Sequence, residues 1–222
     1  MGQATWRWRQ VRELLIQLAV TAPVLLFSMT LHEVSHGYMA YRLGDRTAAS
    51  QKRLSLNPLR HLDPFGTLLL VMTFIFSAGR MMFGWAKPVP VNPGNFKSHQ
   101  RGMAWVGIAG PSANLLLAGV SALVLNIFYP DFGDGLLPIS IFRIFQLNVI
   151  LMVFNLIPVP PLDGSRIVGA FLTPRSYIKW IKLDQYGQFF IMALLLIMLN
   201  FGNGLYTIIL PIYQLFLPGY GF

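Results

Sequence analysis

Leu31-His32-Glu33-Val34-Ser35-His36-Gly37 closes an apolar run that begins near Val11, and it carries the pattern HExxH. On a helix, histidines four residues apart stand about 40° apart round the axis and about 6 Å along it, so both rings reach one ion. Zinc is the usual ion for such a pair, with neutral imidazole nitrogens as ligands. Glu33, next to His32, is placed to take a proton from a water that the ion activates. Two ligands and a general base thus occupy five residues, and a third ligand has to come from elsewhere. Ionisable groups inside membrane-grade apolar sequence are costly and mark functional sites.

The surrounding composition is that of a membrane protein. Of 222 residues, 55% are hydrophobic and 11% charged, and the mean hydropathy is +0.56. Several apolar runs approach the ~20 residues that a helix needs to cross a bilayer. No polar block is long enough for a separate soluble domain of about 50 residues, so residues 1–222 read as one membrane domain. The chain has no cysteine, which excludes disulfides and thiolate-bound metal and leaves imidazole and carboxylate as ligands. The net charge of +9 does not point to nucleic acid, because the basic residues sit between apolar runs, where they orient a chain in the membrane. Arg7, Arg9 and Arg12 precede the first apolar run as in a signal peptide. That run leads straight into the metal motif, however, and is expected to be retained.

Spans are predicted over about Glu13–Tyr41, Met103–Phe128 and Ile139–Leu156, with a polar connector from Arg42 to Asp63. Within the connector, Arg53-Leu54-Ser55-Leu56 alternates like a short strand. Phe65–Trp85 is apolar but broken by Gly66, Gly79, Arg80 and Gly84. The following Lys87–Gly94 holds three prolines and must be extended. Tyr186–Leu199 and Leu205–Leu217 are each short for a crossing and make either two tilted crossings or one crossing with an interfacial end; five to six transmembrane helices are expected in all.

Among the eight acidic residues, Glu33 and Asp163 belong most clearly to deep apolar sequence. Asp163 follows the proline-broken Pro158-Val159-Pro160-Pro161, where unwound backbone can line a hydrated cavity. It is the preferred third ligand; the alternatives are His61 or His99, or a mere helix-capping role for Asp163. If Asp163 and His32 share an ion, their helices run in the same direction and an odd number of crossings separates them. Met103–Phe128 is one crossing, so Phe65–Trp85 is expected to enter and leave on one side as a re-entrant hairpin. On that topology 13 of the 17 Lys and Arg residues lie on the metal side. The positive-inside rule then opens the site toward the cytoplasm.

Three motifs together resemble the site-2 protease family of intramembrane zinc metalloproteases: His32-Glu33-Val34-Ser35-His36, Gly110-Pro111-Ser112-Ala113-Asn114, and Asn155-Leu156-Ile157-Pro158-Val159-Pro160-Pro161-Leu162-Asp163-Gly164. Gly84–Pro93 and Asn57–Pro64 resemble marks of a compact prokaryotic branch without PDZ domains, although Lys52 stands where that branch is expected to carry a small residue. The resemblance implies an all-α polytopic fold around a membrane-embedded zinc site. It implies His32, His36 and Asp163 as zinc ligands, Glu33 as catalytic base, and Asn114 and Asn155 as groups that hold the substrate backbone or polarise its carbonyl. The implied substrates are single-span membrane proteins in the lipid bilayer, cleaved in or near their spans. An unwound substrate is expected to pair with the Arg53–Leu56 strand or with Pro158–Pro161. The competing readings are a metal-binding membrane protein without catalysis, a transporter with a polar pathway, and a peptidase for soluble or lipid-linked substrates. A transport site has no need of Glu33 beside His32.

Overall fold

A computed structural model describes residues 2–77, 79, 82–128, 135–200 and 203–220. The helices are α1 (Gly2–Arg42), α2 (Thr47–Ser50), α3 (Pro64–Phe76), α4 (His99–Phe128), α5 (Leu136–Asn155), α6 (Asp163–Gly169), α7 (Pro174–Ile181), α8 (Gly187–Asn200) and α9 (Asn203–Phe216). Three are long and apolar enough to cross a membrane: Val11–Arg42 within α1, α4 and α5. The sequence suggested five to six. At 1.5 Å per residue, the 13 residues of α3 and the 14 each of α8 and α9 span only about 20 Å, against about 30 Å of hydrocarbon. An apolar run is visible in composition; where its helix stops is not.

α4 is the centre of the bundle, packed against α1, α5, α6 and α9. Its C-terminal half joins α5 and α9 through Ala118, Ala122, Leu125, Phe145, Val149, Ile209, Tyr213 and Leu217. The outside is apolar: Phe76, Leu116 and Phe189 are 82%, 69% and 75% exposed, which suits acyl chains and not water. Polar side chains are buried inside instead, with Ser28, His32, His36, Asn114 and Asn148 all enclosed.

α3 begins with Asp63 as N-cap, its carboxylate accepting from Gly66 N–H at 2.8 Å, and Pro64 in the first turn. Phe83, Gly84 and Trp85 lie back along the same helix. Phe83 N–H donates to Thr73 Oγ1 at 2.9 Å. Gly66 and Gly84 sit where a Cβ would strike the backbone of Trp85 and of Gly66 respectively. At the base, Leu62 and Ala86 form an antiparallel bridge and Lys87 N–H donates to the His61 carbonyl at 2.8 Å. The two ends of the segment, Leu62 and Ala86, therefore lie side by side. Arg80, one of the features that suggested this hairpin, lies outside the described residues.

The Arg53–Leu56 strand is not formed. Among the described residues there is no strand, only that one bridge. The neighbouring segment carries Pro88, Pro90 and Pro93, which have no N–H to build a ladder. Arg53 instead reaches across with its guanidinium, donating to the carbonyls of Lys87 (2.7 Å) and Pro88 (3.3 Å).

Paired antiparallel residues have Cα atoms about 4.5–5.5 Å apart, within disulfide range. In this cysteine-free chain, Leu62→Cys combined with Ala86→Cys is expected to cross-link on mild oxidation, read as a mobility shift reversed by reductant. A pair that stays reduced would contradict the hairpin.

Candidate metal centre

His32 and His36 lie on one face of α1, and Asp163 opens α6 immediately after the Pro158–Leu162 turns. The helix cap is Leu162, not Asp163; the carboxylate points away to the histidines. Asp163 Oδ2 lies 3.2 Å from His32 Nε2 and 3.3 Å from His36 Nε2, and the two Nε2 atoms are 2.9 Å apart.

The hydrogen bonds behind the rings decide what faces the centre. Asn148 Nδ2 contacts the Ile144 carbonyl at 2.7 Å and Ser28 Oγ at 2.9 Å. A carbonyl only accepts, so this atom is the amide nitrogen, and Asn148 Oδ1 must face Asn114. That makes the 2.7 Å contact a donation from Asn114 Nδ2 and turns Asn114 Oδ1 to His32 Nδ1, at 2.5 Å. An amide oxygen has no proton to give, so Nδ1 carries it. His36 Nδ1 likewise faces the Val106 carbonyl, at 2.6 Å. In their neutral form both rings therefore carry the lone pair on Nε2, and the two Nε2 atoms face each other and Asp163 Oδ2, a buried atom with no hydrogen-bond donor.

Three lone-pair atoms converging on one buried point are tolerable only with positive charge among them. Two imidazole nitrogens and a carboxylate oxygen form the donor set of a zinc site with its fourth position open. Bonds of about 2.0–2.1 Å in a tetrahedron put neighbouring ligand atoms about 3.3 Å apart, near the observed spacings. The His–His–Asp cluster fits zinc.

Gly107 and Gly110, one turn apart on α4, let the other elements close in. A Cβ at Gly107 would meet the Asp163 carbonyl and the Arg166 side chain, and one at Gly110 would strike both imidazoles. α6 is braced by Trp180 Nε1 donating to the Ser165 carbonyl at 2.9 Å and by the Arg166–Asp184 ion pair at 2.6 Å.

Glu33 is half-buried, and its Oε2 accepts from Val89 N–H at 2.8 Å. Asn114 is fully buried with both ends of its amide engaged, so it stands behind His32. Asn155 ends α5 and donates to the Leu151 carbonyl of its own helix at 2.9 Å; no hydrogen bond among the described residues joins it to the cluster. The rival ligands are elsewhere: His61 Nε2 meets the Ser55 carbonyl at 2.8 Å, and His99 is exposed at the start of α4. Asn148 and Ser28 were missed from sequence; their signal is an amide and a hydroxyl inside membrane-grade helices.

Near the end of α1, Asp45 is buried. Burial pushes its carboxyl up, but the Thr47 hydroxyl, Asn92 N–H, Asn95 side chain and Thr47 N–H outweigh it and hold it below the ordinary carboxylate range.

YwhC of Bacillus subtilis, classed by its name among zinc metalloproteases, is 42% identical over 185 residues, 81% of this chain and 80% of that protein. Residues 134–199 match the profile of peptidase family M50. The chain belongs to peptidase family M50. Rip2 of Mycobacterium tuberculosis is 31% identical over 171 residues, 77% of this chain and 64% of Rip2. The zinc metalloprotease MJ0392 of Methanocaldococcus jannaschii is 30% identical over 200 residues, 89% of this chain but 47% of that protein. No solved structure matches. The M50 profile covers Asp163 and Asn155 but not the HExxH motif; the fold is what brings the two together.

Overpacking a tight site costs about 1–3 kcal/mol. Gly110→Ala is therefore expected to raise the zinc Kd by roughly 10- to 100-fold with helix content by circular dichroism unchanged. Ser112→Ala, exposed on the same helix, serves as the control. Undiminished zinc binding in Gly110→Ala would contradict this packing.

Proposed function

We propose that this M50 chain is a zinc-dependent intramembrane endopeptidase, one domain over residues 1–222, that hydrolyses peptide bonds in or near the spans of single-span membrane proteins. His32, His36 and Asp163 hold the ion, and Glu33 is the general base. The observation that carries the reading is the convergence of two bare Nε2 atoms and Asp163 Oδ2, from helices far apart in sequence, beside the one glutamate of the HExxH motif.

Zinc, when bound, supplies Lewis-acid chemistry: it polarises a carbonyl and lowers the pKa of water to about 7. Glu33 takes the proton and later passes it to the leaving nitrogen. Asn114 serves the reaction through His32, holding its proton on Nδ1 so that Nε2 stays a ligand. Asn155 acts on the substrate backbone or its carbonyl by turning its amide away from Leu151. A substrate helix hides its carbonyls in its own hydrogen bonds and has to unwind before any of these groups reaches it. The hairpin built on α3 is re-entrant, α8 and α9 complete the membrane domain, and the site opens to the cytoplasmic side, where most of the basic residues lie.

The test is zinc content set against cleavage in membranes. His32→Ala and Asp163→Asn are expected to lose zinc and activity together. Glu33→Gln is expected to keep zinc while cleavage falls by at least about 100-fold. Wild-type cleavage by zinc-loaded Glu33→Gln would overturn the mechanism.

A further inference from the structure

The partner of Glu33 is a backbone group. Lys87–Asn92 runs past α1 in extended form, and in Pro88-Val89-Pro90 only Val89 has an N–H. That N–H goes to Glu33 Oε2 at 2.8 Å, the one hydrogen bond this carboxylate makes among the described residues. Slippage by one residue in either direction would present a proline and no donor.

The segment is pinned on both sides of this contact. Upstream, Arg53 donates to the Lys87 and Pro88 carbonyls. Downstream, Asp45 accepts from Asn92 N–H at 2.7 Å and from Asn95 Nδ2 at 2.7 Å. Between them the Val89 side chain is 7% exposed and lies over Gly37, one turn beyond Glu33. A Cβ at Gly37 would come within 2.8 Å of Val89 Cγ1 and 2.7 Å of Leu54 Cδ2. The missing side chain at Gly37 thus lets the segment come down onto α1.

We propose that Lys87–Asn92 is a positioning strap for the general base, in which Val89 N–H fixes Glu33 Oε2 and leaves Oε1 to handle the proton, with Arg53 and Asp45 holding the strap in register. The proposal rests on Glu33 being the base. A free glutamate side chain samples several rotamers, whereas proton transfer needs the carboxylate within hydrogen-bond reach of its target. One charge-assisted bond from a rigid backbone supplies that orientation without placing a competing proton donor on the working oxygen.

The experiment uses the full chain in proteoliposomes, with a fluorogenic single-span peptide chosen from a panel because the wild type cleaves it. Val89→Pro removes the N–H and is expected to lower kcat by about 10- to 100-fold, with KM within about twofold and zinc content unchanged. Val89→Ala, which keeps the N–H, is expected to recover about tenfold or more of that loss. Amide exchange provides a readout independent of turnover and of the proline. In Glu33→Ala the Val89 amide is expected to exchange about tenfold faster, while the Asn92 amide, held by Asp45, does not change. Wild-type kcat in Val89→Pro, or unaltered Val89 exchange in Glu33→Ala, overturns the strap. If Glu33→Gln is inactive in the same assay, the base assignment stands without the strap; if Glu33→Gln cleaves normally, that assignment has failed, whatever the Val89 variants do.

Discussion

The constraint on which the rest depends is the mutual approach of three lone-pair atoms inside an apolar bundle. His32 Nε2, His36 Nε2 and Asp163 Oδ2 lie 2.9–3.3 Å apart, and each would sooner face a proton or a cation than the others. What keeps them bare is the ordering of protons behind the rings. The Ile144 carbonyl can only accept, and that fact passes through Asn148 and Asn114 to His32. On the other ring the Val106 carbonyl does the same in one step. In hydrocarbon an unpaired polar group costs several kcal/mol. The amide chain is therefore satisfied at every link, and the deficit is concentrated at the point where an ion belongs.

α4 carries most of this arrangement. It supplies Asn114, the Val106 carbonyl and the two glycines that admit the imidazoles and α6. A helix that must be small-faced for one neighbour and polar for another has little freedom left. Its greasy positions, such as Leu116, accordingly face outward, where lipid accepts any apolar shape. The inverted polarity of the fold and the site have the same origin.

Much of this was legible in the sequence because it is local or a matter of parity. HExxH fixes its own geometry on a helix. Asp163 stood out as a carboxylate where carboxylates are costly, and shared depth with His32 forced an even count of passes through Phe65–Trp85. Other parts were not legible, for physical reasons. Arg53–Leu56 alternates like a strand, but a strand also needs a partner with N–H groups, and its neighbour is proline-rich. Apolar runs suggested five to six crossings, whereas three of the described helices are long and apolar enough for one; hydropathy does not record where a helix stops. Asn114 looked like a group for substrate because its motif names a residue and not the direction of its amide; the direction came from Asn148, an asparagine in an otherwise ordinary apolar helix. Lys52 is the opposite case. The residue that broke the resemblance sits at φ 54°, a left-handed conformation that glycine, lacking a Cβ, adopts with less strain, so the oddity in sequence marked a real backbone position.

The proposed ligands and the proposed base are held by different kinds of structure. The proposed ligands lie within packed helices and are oriented by side chains and carbonyls of the bundle interior. Glu33 grows from the same helix, one residue from His32, yet its carboxylate is tied to an extended segment anchored by Arg53 and Asp45 at the helix end. A shift of that segment changes the aim of the base and leaves the lone-pair cluster intact. On the proposed roles, metal retention and proton handling are thereby separable, although both draw on a motif only five residues long.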